Sequence, residues 1–167
     1  LKHFVCNDSE FERHTISVEV DERTLREIYL RPFEIAIKKS RPWTLMAAYN
    51  RINGIYACSH QYLINEVLKS EWGFEGLVIS DWFAAKETVE NAKGGLDLEM
   101  PGPAVAWGQP LLDSLNRGEL DEQVVDDKVA RLLRVLDWSG RFDQPDEKSE
   151  NAIDQQQHRD TAYQAAA

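Results

Sequence analysis

The run Gly76-Leu77-Val78-Ile79-Ser80-Asp81-Trp82 carries a short apolar stretch into a carboxylate with an indole directly behind it. Leu77, Val78 and Ile79 read as a strand buried on both faces, as in parallel sheets covered by helices. A charge ending such a strand has two readings. Many α/β enzymes present a catalytic group there. Equally, Asp81 precedes Phe83-Ala84-Ala85-Lys86-Glu87, and Asp is a common helix N-cap. Asp97 and Glu99 could each pair with Asp81 for acid/base work. Both, however, sit in the alternation Leu96-Asp97-Leu98-Glu99-Met100, which suits side chains that brace a strand end or a neighbouring Arg. Lys2-His3 is a further candidate, although a lone pair of this kind is ordinarily surface charge. His3 has no His, Cys or carboxylate cluster at metal spacing. Cys6 and Cys58 are too few for a disulfide framework and are not spaced as ligands, so they read as buried thiols. No metal and no cofactor are expected.

Those side chains need a scaffold, and strands alternating with helices point to a parallel α/β architecture. Leu1 to Cys6 reads as the exit of a strand. Asp21 can cap a helix with Leu25, Ile28, Tyr29 and Phe33 near one face, which Pro32 should bend or shift in register. Thr44 to Tyr49 is the next strand, and Asn53-Gly54 marks a turn. A second helix covers about Tyr62 to Glu71 and ends at Gly73. A third, near Ala84 to Lys93, stops at Gly94-Gly95 and releases Leu96 to Met100 as a short extended segment before the Pro101-Gly102-Pro103 loop. A long helix from about Glu122 to Trp138, capped by Asp121 and stopped by Gly140, carries Val125, Val129, Leu132, Leu133 and Leu136 as its packing face. Three or four strands in 167 residues fall short of a closed eight-stranded βα barrel, which needs about 250 residues. The expected fold is therefore the second half of a (β/α)8 TIM-like barrel, incomplete in this chain.

With 43% hydrophobic and 29% charged residues the composition is that of an ordinary globular domain. The formal net charge of −10 opposes nucleic acid, which is bound mainly by Lys and Arg, and disfavours anionic membranes. No apolar run approaches the roughly 20 residues that span a bilayer, and the compartment stays open.

Taken in order, Lys2-His3-Phe4, Glu10 with Arg13, Asp21 to Leu30, Met46-Ala47-Ala48-Tyr49-Asn50-Arg51-Ile52-Asn53-Gly54, Glu71-Trp72-Gly73-Phe74-Glu75-Gly76 leading into Ser80-Asp81-Trp82, and Gly95 to Gly102 resemble glycoside hydrolase family three, β-glucosidase type. Lys2 to Asp8 is most similar to the fungal subgroup. The resemblance implies a retaining enzyme that hydrolyses terminal β-D-glucosyl residues, with Asp81 as nucleophile, and a β-glucoside or oligosaccharide as partner. Retention needs two carboxyl groups about 5–5.5 Å apart. The nucleophile must stay ionised, so cations and donors are expected around Asp81. By the same similarity Lys2, His3 and Arg13 bind the sugar, Met46 and Tyr49 line its pocket, and Trp82 stacks on the ring or shields Asp81; a core Trp is the competing reading. It implies residues 1–140 as the C-terminal half of the barrel, 141–154 as a linker, and 155–167 as the start of a connector helix into a second domain. In the family that missing domain supplies the acid/base. A non-catalytic carbohydrate-binding fragment is the alternative.

Overall fold

The computed structural model describes residues 1–146 and 152–167. The centre of the expected linker, residues 147–151, lies outside them.

Four segments run parallel in chain order. Residues 1–5 lie beside strand β2 (Thr44–Ala47), with Phe4 N donating to Met46 O at 2.8 Å and Ala48 N to Phe4 O at 2.7 Å. β2 pairs in parallel with β5 (Leu77–Ser80), in the register Met46 to Ile79 and Ala47 to Ser80. β5 is bridged on its other side, again in parallel, by Leu98. Leu45, Ala47, Val78 and Ser80 are fully buried while Met46 and Ile79 are half-buried. The helices thus cover one face, and the other leads up to Asp81.

Helix α1 spans three contiguous segments, Glu22–Thr24, Leu25–Leu30 and Arg31–Ser40. Asp21 caps it, accepting from Thr24 N at 3.0 Å. Pro32 does not break it. The widened π-type turn over Leu25–Leu30 comes just before the proline and absorbs the donor that proline lacks. That change of pitch leaves Ile28 62% exposed, outside the expected face. Helix α2 (Tyr62–Glu71) has π geometry and buries Leu63, Ile64, Val67 and Leu68. Gly73 follows it at φ +68°.

Two elements escaped the sequence reading. A small sheet joins β1 (Ser17–Val18), β3 (Arg51–Ile52) and β4 (Ile55–Tyr56) around Asn53-Gly54. Helix α4 (Gln109–Asn116) has Pro110 in its first turn. The third helix is shorter than expected, since α3 covers only Val89–Gly94. Residues 82–84 form a turn instead, with Ala84 N donating to Asp81 O at 3.0 Å and Phe83 at φ +64°.

Helix α5 (Glu122–Trp138) begins at Asp121, which accepts from Gln123 N. Its packing face is only partly the expected one: Val125, Leu132 and Leu136 are half-buried, but Val129 and Leu133 are 47% and 45% exposed and Lys128 is buried instead. Arg131 turns inward because its guanidinium donates to the carbonyls of Phe74 at 3.0 Å and Gly76 at 3.1 Å. Helix α6 (Gln156–Ala166) is exposed along its length.

Candidate active site

Asp81 follows β5 directly and accepts from Trp82 N at 2.7 Å through Oδ1. Its Oδ2 lies 3.4 Å from His3 Nε2. Tyr49, two residues past β2, lies close enough for its phenol to feel this carboxylate. With α3 beginning only at Val89, Asp81 caps no helix.

Several contacts fix this end of the array. Ser80 Oγ accepts from Met100 N at 2.8 Å, and Phe83 N donates to Met100 O at 3.0 Å. Asn50, fully buried, ties Val5 O (3.2 Å) to Arg51 O (3.1 Å) through its amide. Residues 1–5, β2, β5 and the 96–100 segment are thereby locked together at their C-terminal ends.

Tyr49 is buried between two groups. The Arg13 guanidinium lies 4.8 Å from its ring centroid, and the His14 ring centroid is 4.2 Å away. Arg13 is itself paired with Glu10 at 2.8 Å. Burial first, then the Asp81 carboxylate beside it, push the Tyr49 phenol above its ordinary value. The hydroxyl remains a donor through neutral pH.

The other candidates are distributed around this centre. Trp82 is 56% exposed, so it is not a core Trp. Met46 is half-buried on the same face as Ile79. Lys2 is exposed and makes no ion pair among the described residues; with His3 it borders a cleft reaching Tyr29 and Phe33.

Asp97 and Glu99 do not join Asp81. Asp97 accepts from Lys69 Nζ at 2.6 Å and from Val78 N at 2.8 Å. It braces β5, with a Lys rather than an Arg. Glu99 accepts from the backbone of Val105, Ala106 and Trp107 at 2.7–3.0 Å, and folds the loop after the Pro-Gly-Pro run. Cys6 and Cys58 are free and buried, and burial pushes both thiols up to about 12. Glu10, His14 and Ser80 went unassigned as positioning groups; only their adjacency to Arg13 and Asp81 signalled them.

An α/β domain that presents side chains where parallel strands end is built to bind and convert ligands at that end. Residues 1–135 match the model of the Glycosyl hydrolase family 3 N terminal domain, and the chain belongs to that family. It is 43% identical over its whole length to probable beta-glucosidase J of Emericella nidulans, covering 20% of that protein. It is 46% identical over 154 residues to a beta-glucosidase of Rhizobium radiobacter, covering 92% of this chain and 19% of the relative. Beta-glucosidase 3B from Thermotoga neapolitana, solved in complex with glycerol, superposes with a TM-score of 0.91 at 43% identity, over 98% of this chain and 24% of that one. Its structure in complex with glucose gives 0.77 at 47% identity, over 81% of this chain and 20% of that one. The chain thus spans about a fifth of the length of the curated relatives it matches.

Proposed function

We propose that Asp81 is the nucleophile of a retaining β-glucosidase that removes terminal non-reducing β-D-glucosyl residues. The observation that carries this is the Asp81 carboxylate at the end of a parallel strand, held by Trp82 N at 2.7 Å and facing His3 Nε2 at 3.4 Å. In the first step an Asp81 oxygen bonds to the anomeric carbon while the bond to the leaving oxygen breaks, and an acid protonates that oxygen. In the second, water activated by the same group displaces Asp81 and releases glucose with its configuration retained. The acid/base is assigned to a second domain, with residues 155–167 leading towards it after a linker over 141–154.

In this reading Lys2, His3 and Arg13 hold sugar hydroxyls, Met46 and Tyr49 line the pocket, and the exposed Trp82 indole stacks on the C–H face of the ring. Residues 1–140 are the second half of a (β/α)8 barrel. Four parallel segments in chain order support that, as does the likeness to proteins named β-glucosidases. Incubating the intact protein with a 2-fluoro-glucoside and mapping the labelled peptide tests the assignment. The label is expected on Asp81, and Asp81→Ala should lower kcat on the order of 10⁴-fold or more. A label elsewhere overturns the assignment.

A further inference from the structure

On the outer layer of helices, away from Asp81, a cleft of about 410 Å³ opens between α2, α3 and α5, bordered by Gln61, Lys69, Lys93, Gln123, Asp127 and Lys128. Lys128 is only 6% exposed, yet among the described residues its ammonium makes no hydrogen bond and no ion pair; it lies 5.8 Å from the Trp107 ring centroid, and Asp97 and Asp127 act on it only at longer range. Buried ammonium groups are ordinarily paired. The carboxylates nearby are committed elsewhere. Asp97 is taken up by Lys69 and Val78 N, and Asp127 pairs with Arg131 at 3.2 Å. Lys93, exposed at the rim, also has no ion-pair partner among the described residues. The cleft therefore holds two unpaired ammonium groups and two rim amides in a chain whose net charge is −10.

We propose that this cleft is a binding site for a small oxyanion, a phosphate or carboxylate group that pairs with Lys128 and is reached by Lys93, Gln61 and Gln123. The cleft falls within the size range of small-ligand sites, about 300–1,000 Å³, so the oxyanion can be one end of a larger metabolite. Burial has pushed Lys128 down to about 8, and a bound anion would favour its charged form. The inference is independent of Asp81 and of the glycosidase reading.

The test is an NMR titration of the full chain with its lysines isotopically labelled in the side chain and chemically unmodified, at constant ionic strength maintained with chloride. Inorganic phosphate is added in one series and acetate in another. Saturable movement of the Lys128 signal in either series is expected, and the series that saturates identifies the group recognised. Lys128→Met should weaken binding about ten- to a hundredfold, as loss of one charge-assisted hydrogen bond implies, while a thermal melt shows the variant folded. Lys93→Met should weaken it less, because that side chain is solvated. Failure of both anions to saturate the Lys128 signal, or affinity unchanged in folded Lys128→Met, overturns the proposal.

Discussion

The phenol of Tyr49 sits near the Asp81 carboxylate, and its ring is clasped by Arg13 and His14. Removing its oxygen leaves the stack intact and takes one donor from beside a charged acceptor. Tyr49→Phe is therefore expected to lower kcat/KM on an aryl β-glucoside about 10–100-fold and to slow 2-fluoro-glucoside labelling of Asp81. Steady-state and trapping kinetics on the intact protein check it. Unchanged labelling would place the hydroxyl outside the chemistry. At this scale much could be read from sequence, because Ser80-Asp81-Trp82 and Lys2-His3 are local patterns. The engagement of Asp97 could not, since Lys69 lies 28 residues away and only folding brings the two together. Sequence spacing likewise concealed that Asp81 begins a turn rather than a helix; the contact that reshapes the segment comes from Met100.

The elements were legible where apolar periodicity was strong. β2, β5, α2 and α5 stand close to their expected ranges. The inward face of α5 was not legible, because apolar periodicity ignores what the Arg131 guanidinium gains from the carbonyls of Phe74 and Gly76 at the β5 entry. Arg131 and Arg134 cap Phe74, Glu75 and Gly76 in this way. Close approach is equally invisible in sequence. A Cβ on Gly94 would lie 2.4 Å from the Ser59 backbone carbon, with α3 pressed on the segment that ends the small sheet. Gly94→Ala is accordingly expected to destabilise the chain by about 1–3 kcal/mol through overpacking, measured as a lowered urea midpoint with unchanged slope. Gly118→Ala, which meets nothing within 4 Å but sits at φ +71°, separates backbone strain from steric conflict and should cost less.

For the molecule as a whole, the buried Lys128 is a burden at neutral pH. Its folded value of about 8 lies below the ordinary 10.5, so between those values the unfolded chain holds a proton that the folded chain lacks. Stability from this group therefore rises as pH climbs from 8 to 10.5, and is fully lost below 8. Lys128→Met is expected to stabilise the chain by about 1–3 kcal/mol at pH 7, the advantage shrinking towards zero near pH 10.5. Chemical denaturation across that range measures it, and a gain that stayed constant with pH would show a packing effect instead. Composition and charge were plain at this scale, whereas the exposure of Ile28, Val129 and Leu133 depends on how the helices turn about their axes. The parallel order of the four segments also governs assembly. Phe4 meets Ala47, Ala47 lies beside Ser80, and Ile79 meets Leu98, so each segment docks on the one made just before it. During synthesis each of these pairings can close as soon as its later member emerges.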